Sequence, residues 1–355
     1  MDNIPSLSII LIVYNGRPYL EECLDSLRRA FLPGTEVVIV DNASTDGSAE
    51  LARAHMSQAR LVVNASNRGF AAACNQGAAT AQGEVLVFLN QDTRVEPNWL
   101  RALLEIFRDD SVGLVTSTVL WMDEPKRVQS CGQDVHYTGL VFGRAFGVPR
   151  AEVPAPAEVG AVSGVSFAVR RDVWDALGGL CEPFFMYYEE TDLSWRARRA
   201  GYRCWYAPDS VVYHAGRTDR PGPAALYWSY RNRALTVLRN WQGHTLLLLL
   251  PALVLAEGLE WVLALTRGWT GLSAKGRAAW WLLTHLREVV RICSEARGPR
   301  RLRDGEMLAR MAWRLEPRVV TGGRIGRVLI ALCNGLFYLN GRLALWALRF
   351  GEGRG

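Results

Sequence analysis

Lysine is almost missing from this 355-residue chain: only Lys126 and Lys275 occur, and arginine carries the remaining positive charge. That bias is of the kind genome composition sets and points to no function. Paired cysteines are also missing. The seven cysteines (Cys23, Cys74, Cys131, Cys181, Cys204, Cys293, Cys333) are scattered singly, with no Cys-x-x-Cys. An odd, unpaired set argues against a disulfide framework or zinc knuckle and for a reduced, cytosolic compartment. The opening MDNIPSLSIILIVYNG has no basic n-region or small-residue cleavage site, so no secretory signal is expected. The first strand-to-helix turn reads YNGRPYL rather than G-x-G-x-x-G, which argues against a nicotinamide or flavin dehydrogenase. The same turn is a poor phosphate loop for a sugar-phosphate nucleotidyltransferase. No internal repeat is visible.

What is present is apolar and unevenly charged. At 49% hydrophobic and 21% charged, the chain is long enough to bury a sizeable core and too apolar to be disordered. Net charge is +6, but residues 1–216 are acidic, with 19 Lys+Arg against 26 Asp+Glu, and the remainder is strongly basic, with 22 against 9. The halves therefore meet different surroundings, and the basic, Trp-rich part suits an anionic partner.

From residue 7, short apolar runs alternate with helical spacing. Leu7–Tyr14, Glu36–Asn42, Arg60–Asn64, Glu84–Asn90 and Val112–Trp121 read as strands; Pro18–Ala30, Ser48–Ser57, Gly69–Ala81 and Pro97–Phe107 read as helices. Uninterrupted apolar strands are typical of buried parallel sheets. The fold class expected is α/β, an open, mostly parallel sheet with helices on both faces. Ligands of such sheets sit at the carboxyl ends of the strands. Those ends carry Tyr14-Asn15-Gly16, Asp41-Asn42, Asn64 and Asn90-Gln91-Asp92.

Each polar cluster has two readings. Asp41 can accept hydrogen bonds from a base edge or ribose hydroxyl, or the VDNASTDG string is a turn that feeds a helix cap. Asn90 and Asp92 suit Mg²⁺ or Mn²⁺ shared with a diphosphate, or Asp92 caps the helix after it. Glu189, Glu190 and Asp192 follow the aromatic run FFMYY. They either favour a helix dipole or include a general base whose pKa the aromatics raise. His214 ends a strand-like run and either is structural or completes a metal shell.

The strings VYNG, VDNASTDGS, NASNRGFAAACNQG, LNQDT, GVSFAVRRDVW, FFMYYEETDLSWRARRAGY, HAGRT and YRNR occur here in one order. Together they resemble the family-2 inverting glycosyltransferases with the A-type, Rossmann-like nucleotide-sugar fold, over about residues 5–240. Bacterial rhamnosyltransferase-like members that build cell-surface polysaccharide are the nearest likeness. The resemblance implies that Val13, Tyr14, Asn15, Asp41 and Asn42 cradle the donor's base and ribose, and that Asn67, Gly69 and Phe70 lie against the nucleotide. It puts Asn90, Asp92 and His214 at the metal and diphosphate position, and Arg231 on the leaving diphosphate. The family's Glu-Asp pair falls on Glu189-Glu190, so Glu190 takes the base position. Asn90 stands where the first carboxylate of D-x-D is usual, and Glu190 is one methylene longer than the usual Asp, which leaves room for a shared role with Asp192. The implied partners are a dTDP- or UDP-linked sugar donor, with rhamnose the sugar, and a glycan or lipid-linked acceptor. Asn90 and Glu190 also fit a second reading, a weak or inactive sugar-nucleotide-binding protein.

The remaining residues, 241–355, form a second region. Tyr227–Trp241 is a basic amphipathic helix candidate, followed by Thr245–Leu265, Lys275–Arg297 and Arg324–Phe350. Thr245–Leu265 reaches the roughly 20 residues a membrane span needs, but Pro251, Glu257 and Glu260 interrupt it and both flanks are basic. A helix lying in the interface, or a re-entrant hairpin, fits better than a single span. The expectation is a peripheral enzyme on the inner face of an anionic membrane. A plain helical subdomain or a homodimer interface is the competing use of these helices. Nucleic acid is not expected, because apolar runs and Trp replace a polar basic groove.

Overall fold

The computed structural model describes residues 6–216, 221–295, 298–316 and 323–352. Residues 1–5, Arg217 and Thr218 of the HAGRT string, and Arg297 at the end of one expected helix lie outside that set. The strands are β1 (Leu7–Val13), β2 (Glu36–Asp41), β3 (Arg60–Val63), β4 (Val85–Asn90), β5 (Thr93–Val95), β6 (Val112–Trp121), β7 (Val128–Ser130), β8 (Gln133–Val135), β9 (Val141–Gly143), β10 (Ala157–Glu158), β11 (Ser166–Arg170) and β12 (Arg203–His214). Helices α1 (Arg17–Ala30), α2 (Ser48–His55), α3 (Gly69–Thr80), α4 (Trp99–Ile106), α5 (Arg171–Leu177) and α6 (Glu189–Arg199) are interleaved with them. Helices α7 (Pro223–Asn240), α8 (Gly243–Thr266), α9 (Gly268–Thr284), α10 (Leu286–Ser294), α11 (Asp304–Ala309) and α12 (Gly323–Glu352) complete the chain.

The main sheet has the order β10-β12-β6-β11-β4-β1-β2-β3. The pairs β1–β2, β1–β4, β2–β3 and β6–β12 are parallel, while β11 runs antiparallel between β4 and β6. The α/β class with a mostly parallel sheet is therefore what the chain adopts. Along β1, Ile9, Leu11 and Val13 pack with Leu20, Leu24, Leu27 and Trp99 on one face, and Ile10 and Ile12 pack with Ala71, Cys74 and Ala78 on the other. Burial on both faces explains the unbroken apolar run. Helix α3 is rich in Ala because it lies very close to the sheet: a Cβ at Gly77 would collide with the Ile10 side chain.

The C-terminal helices pack on this body through Tyr137, Trp195, Trp241, Leu249, Ala252, Phe337 and their neighbours. The expected helix over Lys275–Arg297 is broken at His285 into α9 and α10. Two helices, Gly243–Thr266 with mean hydropathy 2.0 and Val328–Arg349 with 1.5, are long and apolar enough to cross a membrane by length and composition. Their outward faces hold Leu247, Leu250, Val254 and Leu265 on α8, and Val328, Leu332, Leu336, Leu339, Leu343 and Trp346 on α12. Trp269, Trp280, Leu283, Leu286 and Val290 extend the exposed apolar surface over α9 and α10.

Candidate active site

The carboxyl ends of β2, β1 and β4 lie side by side, with Val13 opposite Asp41 and Ile12 opposite Asn90. Two strand spacings put Asp41 and Asn90 about 10 Å apart. Asp41 is 1% exposed; its Oδ2 accepts the Ser44 N–H at 3.0 Å, and its Oδ1 is buried with no partner among the described residues. An unmet buried acceptor costs about 1–3 kcal/mol, which a donated N–H or hydroxyl recovers. Asn15 sits in a left-handed conformation (φ 47°) and accepts the Thr45 N–H through its side chain at 2.9 Å. The Tyr14 backbone is clasped at both N–H and C=O by the Gln91 amide, each at 2.8 Å, leaving the ring 45% exposed. Val13 is buried, and its carbonyl accepts the Asn42 N–H.

Asn42 is not available as a donor-binding contact. Its Nδ2 donates to Asn67 Oδ1 at 2.9 Å and to the Gly69 carbonyl at 3.1 Å, and its Oδ1 accepts from Asn64 at 3.1 Å and the Arg68 N–H at 3.0 Å. It fixes the loop that carries Asn67, Gly69 and Phe70. Gly69 (φ +83°) has Phe185 against it, where any Cβ would collide, and Phe70 packs partly into the core.

On the next strand end, Asp92 Oδ2 lies 3.3 Å from His214 Nε2. His214 Nδ1 is 2.9 Å from Gln129 Oε1, while Gln129 Nε2 donates to the Gly216 carbonyl at 3.0 Å. That bond fixes the amide orientation, so Oε1 accepts and Nδ1 carries the proton. The Nε2 lone pair then faces a carboxylate oxygen, an arrangement that either a proton or a cation completes. Burial opposes charge on Asp92, but when a proton completes the pair the hydrogen bond and charge of His214 outweigh it and hold the carboxyl below its usual range. An imidazole steered by its other nitrogen and a carboxylate are a normal donor set for a first-row divalent cation, and the carboxylate alone suits Mg²⁺. Among the described residues no three His, Cys, Asp or Glu side chains gather into a closed metal cage. The donors present therefore fit an open site that shares a cation with a diphosphate, with Asn90 at the neighbouring strand end.

Glu189 and Glu190 open α6 and are 4% and 8% exposed. Burial raises both carboxyls, and Glu189 is pushed further by the charge of Glu190. Glu190 Oε1 accepts from Gln133 Nε2 at 3.2 Å, and its carboxyl lies beside Gly164. The neighbouring Val165 carbonyl accepts the Asn90 N–H at 3.1 Å, so the base position abuts the Asn90 turn. Tyr187, 42% exposed, is raised by burial and then by the charges of Glu189, Glu190 and Asp92, which puts those carboxylates within electrostatic reach of one ring. The loop before α6 is strained: Phe185, Tyr187 and Tyr188 all have φ between 64° and 72°. Backbone strain of this kind persists only where the surroundings impose it. Asn232 imposes it by donating to the carbonyls of Phe184, Met186 and Tyr187 at 2.8–2.9 Å.

Two expected residues serve elsewhere. Arg231 is 4% exposed, donates to Asn232 Oδ1 and the Pro183 carbonyl, and is stacked between Trp228 and Trp281 at 4.3 and 4.6 Å. It braces the aromatic loop, and this replaces the diphosphate contact expected of it. Asp192 is fully buried, 2.8 Å from Arg196 and 3.2 Å from Arg239, and accepts from Asn240 at 2.9 Å. With both oxygens engaged, it does not share the base role. Gln91, Gln129, Gln133 and Asn232 were given no role by sequence; Gln91 lies in the LNQDT string and Asn232 in YRNR, whereas Gln129 and Gln133 lie in none.

Residues 8–172 match the profile of Glycosyl transferase family 2. The chain carries a family-2 glycosyltransferase domain. It is 27% identical over 248 residues to the N-acetylglucosaminyl-diphospho-decaprenol L-rhamnosyltransferase of Mycobacterium tuberculosis, a match covering 62% of this chain and 79% of that one. Bacillus subtilis EpsH is 32% identical over 109 residues, 30% of this chain and 32% of its own length. Among solved structures, GalNAc-T7 with UDP, GalNAc and Mn²⁺ has a TM-score of 0.59 at 15% identity, over 83% of this chain and 59% of that one. S. aureus TarS 1-349 in complex with UDP-GlcNAc has 0.52 at 16% identity, over 98% and 92%. The chain thus spans under two thirds of EpsH and GalNAc-T7 but most of the rhamnosyltransferase and TarS 1-349. The structural likeness establishes that the transferase domain has the A-type glycosyltransferase fold.

Proposed function

We propose that this glycosyltransferase is metal-assisted and inverting, and that it moves a sugar, rhamnose in our reading, from a dTDP- or UDP-linked donor to a hydroxyl of a lipid-linked or glycan acceptor in cell-surface polysaccharide synthesis. The observation that supports the reading is that the Asp92–His214 pair follows the Asn90 strand end, whose N–H bonds the Val165 carbonyl next to the Gly164 that Glu190 lies against. Asp92 and His214, with Asn90, would hold Mg²⁺ or Mn²⁺, which when bound neutralises charge on the departing nucleoside diphosphate. Asp41 offers its unmet oxygen to the donor's base or ribose. Glu190 takes the proton from the acceptor hydroxyl as that oxygen attacks the anomeric carbon from the face opposite the leaving group. One displacement inverts the configuration and needs no covalent glycosyl-enzyme. The raised Glu190 carboxyl suits a base near its working pH.

The acceptor side is supported by a groove of 520 Å³ lined by Tyr227, Gly276, Arg277, Trp280, Trp281 and His285. From it Trp281, Arg231, Trp228 and Phe185 stack in succession toward the loop before α6. We read residues 241–355 as a helical appendage that docks residues 1–240 on the inner face of an anionic membrane. Flotation with anionic liposomes at low salt tests the docking, and a chain that stays unbound refutes it.

A thermal-shift screen of dTDP- and UDP-sugars, with and without Mn²⁺, identifies the donor through mass-action stabilisation. Glu190→Gln is expected to bind that donor normally and lose roughly 10²–10⁴-fold in transfer. Turnover near wild type removes Glu190 from the role.

A further inference from the structure

We propose that Gln129 and Gln133 are positioning residues for the two ends of the transfer site. Gln129 aims the cation-binding nitrogen of His214, and Gln133 holds the base carboxylate of Glu190. The inference rests on the metal-assisted transferase reading above and assigns duties to two residues outside it.

The two amides flank one short turn, Gln129 on β7 and Gln133 on β8, in which Gly132 adopts φ +79°. Each has its orientation set by the acceptor on its Nε2, the Gly216 carbonyl for Gln129 and the Glu190 carboxylate for Gln133. Gln129 is 5% exposed and gives its Nε2 protons to the Gly216 carbonyl. Reversing the amide would set its oxygen against that carbonyl, so Oε1 stays on His214 Nδ1 and the imidazole presents Nε2 to Asp92. A ligating imidazole is commonly fixed in this way by a neighbour on its other nitrogen. Gln133 gives Nε2 to Glu190 Oε1, and its own Oε1 accepts from Thr191 Oγ1, both at 3.2 Å. Reversal here would face two oxygens. The Gln133 backbone is itself pinned to Ala161 through N–H and C=O, at 2.8 and 3.0 Å. A four-residue step therefore ties the metal side of the site to its base side, and each amide engages one atom of its partner.

The test uses the full chain and Mn²⁺ alone as probe, with free Mn²⁺ followed by electron paramagnetic resonance. Gln129→Leu is expected to weaken Mn²⁺ binding about 10–100-fold. In the nitrogen-15 spectrum wild-type His214 is expected to carry its proton on Nδ1, and Gln129→Leu is expected to lose that preference. Gln133→Leu is expected to leave Mn²⁺ affinity and the donor KM unchanged while lowering kcat at least tenfold, using whichever dTDP- or UDP-sugar the screen identifies. Equal Mn²⁺ affinity in wild type and Gln129→Leu overturns the Gln129 assignment, as does an unchanged His214 tautomer in that variant. A Gln133→Leu variant with unchanged kcat overturns the other half. If the Leu variants fail to fold, the nitrogen-15 spectrum of wild-type His214 decides: a proton on Nδ1 supports the assignment and one on Nε2 alone refutes it. A wild type that binds no Mn²⁺ sinks the metal reading itself and this inference with it, an outcome distinct from the others.

Discussion

Asp192→Asn separates two duties that a string of three carboxylates leaves open. Asp192 faces two guanidiniums, Arg196 on its own helix and Arg239 on α7, both buried. Arg196 reaches on to the carbonyls of Leu177 and Gly179, so the carboxylate sits inside a network that joins α6 to α7 and to the end of α5. Removing the one negative charge leaves two buried cations without their partner. Breaking a buried pair from one side costs about 3–5 kcal/mol. Proton linkage gives an independent handle. Burial works against the charge, but Arg196 and Arg239 prevail and bring the carboxyl from its ordinary 3.8 down to about 2. That difference corresponds to roughly 2–3 kcal/mol. Because the folded value lies below the unfolded one, this stability is present above the unfolded value of 3.8 and is lost as pH falls toward 2. Against a total of about 5–15 kcal/mol, the loss is large. Urea unfolding at pH 7 is expected to show a lower midpoint for Asp192→Asn with the slope unchanged, and the folded fraction is expected to keep turnover within about tenfold of wild type. A variant as stable as wild type but inactive would refute the reasoning and return Asp192 to the chemistry.

Other substitutions address the remaining groups. Glu189 and Glu190 both titrate above their ordinary value of 4.5 when folded, so the fold loses stability as pH rises from that value through the raised ones. Glu189→Gln is therefore expected to gain roughly 0.5–2 kcal/mol at neutral pH. Because the charge of Glu190 pushes Glu189 higher, Glu189 is neutral while Glu190 protonates, and the substitution should leave the acid limb of the rate profile in place; a limb that moves to lower pH would show that Glu189 carries charge there. Asp41→Ala is expected to weaken UDP or dTDP binding by about 10–150-fold, the value of roughly 1.5–3 kcal/mol for a hydrogen bond to a charged group, measured by calorimetry with Mn²⁺ affinity as the unaffected control. Glu260→Gln strips Lys275 and Arg233 of a buried partner and is expected to cost about 3–5 kcal/mol in urea unfolding. A neutral effect would show that Glu257 alone compensates them.

The parallel half of the fold was legible because β1, β2 and β4 are buried on both faces, and two-sided burial writes a continuous apolar run into the chain. Strand β11 was harder. Its segment SFAVR is short and lies between β4 and β6 against their direction, a placement set by long-range pairing that local pattern does not encode. The break at His285 was invisible for a related reason: apolar and basic residues continue across it at helical spacing. At the site, Asp41, Asp92, Glu190 and His214 could be singled out because carboxylates and an imidazole at strand and helix ends are chemically conspicuous. Arg231 was equally conspicuous, yet its environment of Trp228, Trp281 and the Pro183 carbonyl turns it into a brace. Gln129 and Gln133 carry no charge and no period, so only their partners disclose them.

The charges inside the apolar helix α8 bear on how the chain meets a bilayer. Read along the sequence, Glu257 and Glu260 merely interrupt a hydrophobic run. In three dimensions Arg233 of α7 reaches both, at 2.6 and 2.7 Å, and Lys275 of α9 reaches both, at 2.7 and 2.6 Å. Two positive and two negative charges thus close on one another on the inner side of α8, while Leu247, Leu250, Val254 and Leu265 face outward. Arg233 also donates to the Thr138 carbonyl, so the network is fastened to the transferase body. Threading α8 across a bilayer would tear these pairs apart, at about 3–5 kcal/mol for each partner left alone. Laying the helix in the interface keeps every pair and still delivers the leucine face to lipid. In the reading proposed above, these four residues favour a helix that lies flat, which would hold the aromatic groove beside the membrane where a lipid-linked acceptor would arrive.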